Sequence, residues 1–582
     1  MRNHSLIVLK FGSSVLRSEA DLPAAVHEIY RWVRNGHQVI AVVSAIGNST
    51  EDLLTRARTY GDSVNDHAVA ALLATGEATS AALLSLALDR AGIPAVILDE
   101  VRLGMRTRGP ILNSEPCGID VSAVERTLEE VPVVVVPGFV GRQGDGTVSL
   151  LGRGGTDLTA VFVAHQLEAD CCRLIKDVDG IFEYDPASSE EVPRRYRTLA
   201  WADADRVNGG IVQTKAIHFA ERSGFAFEVA ALNSTRPSLI CGQPSTFYEE
   251  QQDGDPLRVG LLGVGTVGLG VYCHLAAHPD RFHITRIGVR QLEREDGTPC
   301  ELLTPNPWEV VDSDAELIVE LIGGLWPAKE LIEAALKAGK HVITANKLVV
   351  SHWGRELCEL AARKGVQLLY SGAVGGAAPM LEQVRHIADT HGIRALDGVV
   401  NGTTNFILDR LAEGVPRDEA LREAQRLGFA ELDPTADLDG SDAAHKLALL
   451  AHAAFGRCLH PSEIDRIGIE HFDAEAVHEA AESGLSVRLV ASLQNGSDGV
   501  KARVEPQFLD RDHVFAQTHN EENCLEICSE SGRVFYVRGK GAGRWPTAEA
   551  VMADVFDVYR TTHAEAAPMK ISERCLTTGR VS

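Results

Sequence analysis

The stretch RVGLLGVGTVGLGVY, Arg258 to Tyr272, constrains the fold of this chain more than any other feature. An apolar run, a glycine turn and a second apolar run switch the periodicity from that of a strand to that of a helix. Gly263, Gly265 and Gly268 stand at G-x-G-x-x-G spacing. Such glycines allow a tight turn, close backbone approach to a pyrophosphate, and close packing of helix on strand. A turn serving packing alone is the competing reading. The preceding strand, the following helical run and another strand about 20–25 residues on favour a dinucleotide. Gly263, Val264, Gly265, Val267 and Gly268 are then the candidate cofactor contacts. The second strand ends IGVRQ, with Arg290 where an NAD site usually has an acid. An arginine there suits a 2′-phosphate, so NADP is favoured over NAD, which remains the alternative.

Strands expected at 257–263, 283–289, 317–324 and 341–346 alternate with helical patterns, which implies α/β architecture with mostly parallel strands. The same alternation fills the first half, with strands expected at 6–11, 38–45, 131–139 and 172–178 and a helix over 64–91. Between the halves, GQPSTFYEEQQDGDP (242–256) is polar and rich in turn formers, as a linker would be. With 582 residues the chain is expected to form two to four domains. Its formal charge of −25 argues against nucleic acid or an anionic membrane as partner. No window approaches the ~20 apolar residues of a membrane span. The eleven cysteines lack paired C-x-x-C spacing, so reduced, mostly buried thiols in a cytoplasmic protein are expected.

Two further regions carry chemistry. In LGFAELDPTADLDGSDAAHKLALLAHAA (427–454), Asp442 and Lys446 are four apart and share a helix face. They read either as an exposed salt bridge or as a substrate-binding carboxylate beside a proton-donating lysine. In the first half there is no G-x-x-x-x-G-K-[ST] motif, yet VLKFGSS places Lys10 at a strand end before a turn of small residues. LLGRGGTDLTAVFVAHQL (150–167) is a glycine nest running into a helix, and KDVDGIFEYDP (176–186) is an acidic turn. Backbone amides and the helix dipole make the nest a candidate anion site. Singly, each also reads as a surface lysine, an N-cap or a plain turn.

The second-half motifs LLGVGTVGLGV, ELIGG, TANKLVVSHWG, YSGAVGGAAP, NGTTNFIL, GFAELDPTADLDGSDAAHKLALLA and GKGAGRWPTAEAVMAD occur in the order found in homoserine dehydrogenases. The resemblance covers 257–582 and implies reversible NAD(P)H-dependent reduction of aspartate semialdehyde to homoserine. It makes Lys446 the general acid and places Lys347 beside cofactor and substrate. Glu431 and Asp442 would hold the ammonium and hydroxyl ends of the substrate. Gly428 and the 539–543 turn with Gly543 would close over the cofactor. Where the family usually has an acid that helps to ligate a monovalent cation, this chain has Ser371. The carbonyls of Val374, Gly376 and Ala378 are the remaining candidate ligands.

The first-half motifs KFGSSVL, VVSAIGNSTEDLL, TGEATSAALL, PGFVG, LGRGGTDLTA and KDVDGIFEYDP resemble the amino-acid kinase family, aspartokinases most closely. On that resemblance Lys10 stabilises the transferring phosphoryl group and Asp157 organises the catalytic groups. Thr50, Glu77 and Arg153 hold aspartate. Lys10, Gly12, Ser13, Asp177, Asp179 and Lys215 face ATP, whose phosphates Mg2+ would bridge. Two departures stand out: Ser13 replaces a glycine, and NGGIVQTKAIHFA (208–220), with Lys215, is closer to glutamate 5-kinase-like members.

The implied fold is an N-terminal three-layer α/β/α amino-acid kinase domain (1–245) and a linker (246–256). A Rossmann nucleotide-binding domain (257–384) follows, then an α+β substrate and dimerisation domain (385–535). A C-terminal segment (536–582) returns to the nucleotide-binding domain. No ACT-type regulatory domain is expected between the halves. The implied protein is a bifunctional aspartate kinase/homoserine dehydrogenase, at least dimeric, acting on aspartate, ATP and aspartate semialdehyde or homoserine. Two alternatives are a degenerate kinase-like module serving binding or dimerisation, and a kinase acting on another acid such as glutamate.

Overall fold

The structure, a computed structural model, describes residues 5–61, 64–186, 193–207, 210–249, 255–292, 297–376, 378–496, 499–541 and 543–563. These form two units, one ending at Glu249 and one running from Asp255 to His563. The middle of the expected linker, Asn208 and Gly209, Ala377, Ala542 and the segment 564–582 lie outside the described residues.

In the first unit, Leu6–Phe11 lies at the centre of a nine-stranded sheet, paired in parallel with Gln38–Val43 on one side and Cys171–Ile175 on the other. Every residue of Leu6–Phe11 is buried. Both faces of a parallel sheet are covered, so its strands read as continuous apolar runs. Leu6 and Val8 join the core formed with helices Gly155–Gln166 and Thr214–Ser223. Helices Leu22–Arg34 and Asp66–Ala91 pack on each other and against the neighbouring strands.

Asp66–Ala91 corrects the expectation about apolar length. It is the one helix among the described residues long and apolar enough to cross a membrane. One face of it, with Leu73, Ala81, Leu84 and Leu88, is buried inside this unit and carries the buried Glu77, whereas Leu86 is 66% exposed. A four-stranded sheet, in the order Glu115–Gly118, Arg106–Arg108, Val140–Arg142, Val148–Leu150, lies outside the sequence expectation. Its strands are too short to show a period.

The second unit opens with a six-stranded parallel sheet. Across it the strands run Leu303–Thr304, Phe282–Gly288, Leu257–Leu262, Leu317–Glu320, His341–Thr344, Leu368–Leu369. In chain order that is 3-2-1-4-5-6, the doubly wound arrangement, with its order reversing between Leu257–Leu262 and Leu317–Glu320. A second sheet runs Asp465–Arg466, Gly499–Asp510, Leu485–Gly496, Ile393–Val399, Glu522–Ser529, Val534–Lys540, antiparallel except for its first pair. Helices Gly402–Ala412, Ser441–Phe455 and Ala474–Glu482 lie against Leu485–Gly496.

The last helix, Arg544–Thr562, returns to the parallel sheet and packs on Thr266–Ala276. The fit is close: a Cβ on Gly270 would lie 3.0 Å from that of Ala548. The ten cysteines among the described residues are all free, but only four are buried and four are exposed. The expectation of mostly buried thiols is corrected to that extent, since several cysteines fall on outward helix faces and loops.

Candidate functional site

The glycine turn sits where the strand order of the parallel sheet reverses, the crevice in which open α/β sheets take ligands. Each glycine has its own reason. Gly263 has φ +98°, and a Cβ on it would come within 2.9 Å of the Leu321 carbonyl oxygen. A Cβ on Gly268 would lie 2.1 Å from the Gly263 carbonyl oxygen, so only glycine lets this helix approach its strand. At Gly265, the N-cap of Thr266–Ala276, a Cβ would meet nothing within 4 Å. The space above Gly265 is therefore open beside the free amides of a helix N-terminus, a cradle that fits a pyrophosphate. Val264 is buried in the core and Val267 packs against it, so both brace the turn. Arg290 lies two residues beyond Phe282–Gly288, exposed, with no hydrogen bond or ion pair to any described residue.

Lys347 opens helix Lys347–Lys364, directly after the fifth strand of that sheet. Its ammonium ion-pairs with Asp442, the second residue of helix Ser441–Phe455. The Lys446 ammonium lies 2.8 Å from the other Asp442 oxygen and donates to the Val400 carbonyl at 2.5 Å. The pair is thus not the exposed i,i+4 salt bridge that spacing alone allows: Asp442 is 4% exposed and Lys446 8%. Burial is the largest influence on the Asp442 carboxyl and opposes its ionisation. Lys446 and Lys347 together outweigh it and hold the group far below the carboxylate range. Burial pulls the Lys347 ammonium down as well, but Asp442 reverses this and leaves its pKa raised. The Asp442 carboxylate therefore carries two ammonium groups, one on each oxygen.

Asn401 and Asp437 belong to this site although the sequence reading does not single them out. The Asn401 amide donates to Asp442 at 2.8 Å and to Asp437 at 2.7 Å. Its oxygen caps helix Gly402–Ala412 through the Thr404 amide at 2.9 Å. The NGTTN motif carries Asn401, but an N-cap explains an asparagine there equally well. Glu431 is exposed and, with Asp437, adds to the negative field at Lys347. Gly428 (φ +85°) ends helix Arg417–Leu427, and Gly543 (φ +126°) precedes Arg544–Thr562. Ser371 gives its hydroxyl to Asp554 at 2.7 Å and its amide to the same carboxylate at 3.0 Å. Val374 and Ala378 are buried, Gly376 has φ +54°, and the Ala378 carbonyl already accepts from the Met380 amide. Among the described residues no cluster of three or more His, Cys, Asp or Glu side chains could hold a metal.

In the first unit, the strand-end Lys10 and the early-helix Asp157 meet. The Lys10 ammonium lies 2.7 Å from one Asp157 oxygen, and Lys176 lies 2.9 Å from the other. Asp157 is 2% exposed. Burial opposes its ionisation most strongly, yet the two lysines lower its pKa to about 2. Lys176, absent from the sequence expectation, has its pKa lowered to about 8, first by burial and then by Lys10. A Cβ on Gly12 would lie 2.7 Å from the Lys10 ammonium, so a glycine there leaves room for this lysine. Ser13 is exposed at the turn.

Gly152 and Gly154 take φ +73° and +76° ahead of helix Gly155–Gln166, forming the nest, and Arg153 between them is exposed. Lys215 comes to the same nest, donating to the Leu151 carbonyl at 2.8 Å and to Asn113. Glu77 is 3% exposed, with one carboxylate oxygen unpartnered, and burial raises its pKa to about 7. Thr50 is half-buried near the start of Ser49–Arg58. Asp177 is exposed, whereas the Asp179 carboxylate is engaged by Arg195 at 2.5 Å and by the Ala231 amide at 3.2 Å. Asp179 thus fastens its own loop.

Sequence comparison agrees with this division. Residues 379–556 match the family model of homoserine dehydrogenase, and 263–371 match that of the homoserine dehydrogenase NAD-binding domain. Residues 5–227 match the amino acid kinase family. Homoserine dehydrogenase of Synechocystis is 38% identical over 318 residues, 52% of this chain and 73% of that protein. That of Bacillus subtilis is 35% identical over 316 residues, again 52% and 73%. The solved homoserine dehydrogenase of Thiobacillus denitrificans aligns over 53% of this chain and 74% of its own, at 38% identity and a TM-score of 0.51. The chain belongs to the homoserine dehydrogenase family, an oxidoreductase carrying a domain of the amino acid kinase family in the same polypeptide.

Proposed function

We propose that the second unit interconverts aspartate 4-semialdehyde and homoserine with NADP(H). The observation that carries this reading is the Lys347–Asp442–Lys446 cluster, in which Asp442 and Lys446 are buried and the half-buried Lys347 comes from the strand-end edge of the dinucleotide crevice. The bound nicotinamide supplies the hydride in reduction and takes it up in oxidation. As the aldehyde carbon gains hydride, its oxygen becomes an alkoxide, and Lys446 gives that oxygen a proton to complete the alcohol. Lys347 adds a second positive charge where the oxyanion develops. Asp442, held ionised by both lysines, fixes their geometry and cannot itself be the acid. Glu431 and Asp437 suit the ammonium of the substrate, and exposed Arg290 suits a 2′-phosphate. Homoserine-dependent reduction of NADP+ and of NAD+ tests the reading. Absence of turnover with both would refute it.

The first unit is proposed to phosphorylate the side-chain carboxylate of aspartate from MgATP. Three lysines support this: Lys10 and Lys176 around Asp157, and Lys215 at the glycine nest. In phosphoryl transfer, catalysis is mostly positioning and charge neutralisation, which such lysines and Mg2+ provide. Arg153 suits a substrate carboxylate and Glu77 an ammonium group. Trapping the acyl phosphate with hydroxylamine tests this. Hydroxamate from glutamate but not aspartate would change the substrate, and none from either would leave a binding module. The second sheet supports a dimer: Val487, Ala491 and Val504 face the core shared with the helices, and Tyr536, 55% exposed, points to the other face. Free thiols, four of them exposed, suit the reducing cytoplasm.

A further inference from the structure

We infer that Glu320 is a positioning residue of the dehydrogenase site: its buried carboxylate joins the loop after the fourth strand of the parallel sheet to the loop that launches Lys347. The inference rests on the reading of the second unit as a homoserine dehydrogenase.

Glu320 ends strand Leu317–Glu320 and is completely buried. A charged residue at the end of a core strand is costly unless each oxygen is engaged. One oxygen accepts from the Ile322 amide at 2.9 Å and the Gly323 amide at 3.2 Å. These amides belong to the IGG turn, where Gly323 and Gly324 take φ +70° and +72°. The other oxygen accepts from the Thr344 hydroxyl at 2.6 Å, at the end of the next strand. The Thr344 oxygen accepts in turn from the Asn346 amide at 2.9 Å. The Asn346 side chain closes the circuit, donating to the Gly324 carbonyl at 2.6 Å while its oxygen takes the Val349 amide at 3.3 Å.

Every polar group in this ring therefore has a defined partner, and the ring ties together two loops at the ligand-bearing edge of the sheet. The residue after Asn346 is Lys347, whose ammonium must reach Asp442 from a different domain layer. A lysine chain has wide rotamer freedom, so its reach is set by where its backbone starts. Glu320 and Thr344 set that start. Burial works against the Glu320 carboxylate and raises its pKa, but the surrounding donors counter this. A group retained at such cost between two active-site loops is consistent with a role in placing them.

The test uses the full chain with the substitutions Glu320→Gln, Thr344→Val and Thr344→Ser. Thr344→Val keeps the shape and removes the bridging hydroxyl, whereas Thr344→Ser keeps the hydroxyl. Misplacement of a site group by about 1 Å lowers turnover on the order of 100-fold. Glu320→Gln and Thr344→Val should therefore lower kcat for homoserine oxidation by about 10- to 100-fold. Thr344→Ser should recover most of it, and the double variant should fall no further than the worse single one. NADPH binding, followed by fluorescence, should change by less than about threefold, which separates misplaced loops from a collapsed fold. If Glu320→Gln does not fold, the two Thr344 variants decide alone. A folded Thr344→Val enzyme with wild-type kcat would overturn the inference, as would equal losses in Thr344→Val and Thr344→Ser. A wild-type chain inactive on homoserine would instead refute the functional reading beneath it.

Discussion

Glu77 offers a quantitative test of the first unit. Its side chain lies inside helix Asp66–Ala91, 3% exposed, and one oxygen has no hydrogen-bond partner. Burial outweighs the backbone hydrogen bonds from its own and the Ala45 amides and raises its pKa from 4.5 to about 7. The folded state therefore binds this proton more tightly than the unfolded chain does. Below the ordinary carboxyl pKa both states are protonated and the group contributes nothing. As pH rises to about 7 the unfolded state ionises first, so stability is lost, and above about 7 the loss is constant. At about 1.4 kcal/mol for each tenfold change in proton affinity, the full cost is about 3 kcal/mol. Glu77→Gln keeps the shape and removes the titration. In calorimetric scans of the full chain, the variant's first-unit transition should be shifted upward at pH 8 and unchanged at pH 4, with the gap opening between them. An ammonium-bearing ligand should restore ionisation in the wild type, so aspartate should stabilise wild type more at pH 8 than at pH 5, and the variant at neither. A variant with the wild-type pH dependence would refute the argument.

Lys446→Ala should lower homoserine oxidation by about 100- to 10,000-fold, the usual range for a general acid, while NADPH still binds. Asp442 keeps Lys347 as partner in that variant, and turnover within tenfold of wild type would return Lys446 to a structural role. Arg290→Gln should weaken NADP+ more than NAD+ in KM measurements, and equal effects would remove it from cofactor selection. Gly268→Ala sets a Cβ 2.1 Å from the Gly263 carbonyl oxygen, so helix and strand must part. It should abolish nicotinamide binding by titration and destabilise the second unit, and an unchanged affinity would contradict the packing described.

Legibility in the sequence followed the range of the interaction. The strand expected over 6–11 is Leu6–Phe11, and the helix over 64–91 is Asp66–Ala91. Their residues carry the period or the apolar run in contiguous chain. The strand expected over 317–324 stops at Glu320, because the IGG turn follows with positive φ. The four-stranded sheet is not legible because strands of three or four residues have no measurable period. Lys176 and Asp437 are not legible because one follows an apolar strand as an ordinary surface lysine would, and the other is one of several acids in an acidic loop.

By itself the sequence determined what depends on neighbours a few residues apart: the glycine turn, the helix N-termini and the shared helix face of Asp442 and Lys446. Resemblance to known families extended this to the two enzyme types. Only the tertiary structure decided that Asp442 and Lys446 are buried, that Lys347 reaches the same carboxylate from far along the chain, and that Lys10, Asp157 and Lys176 converge. It also decided that Glu320 links two loops. The physical reason is that an i,i+4 pair is worth little in water. The same pair, withdrawn from solvent and joined by a third charge, acquires a fixed geometry, and its carboxylate is held ionised. Burial and long-range contact are properties of the folded whole, and no local spacing encodes them.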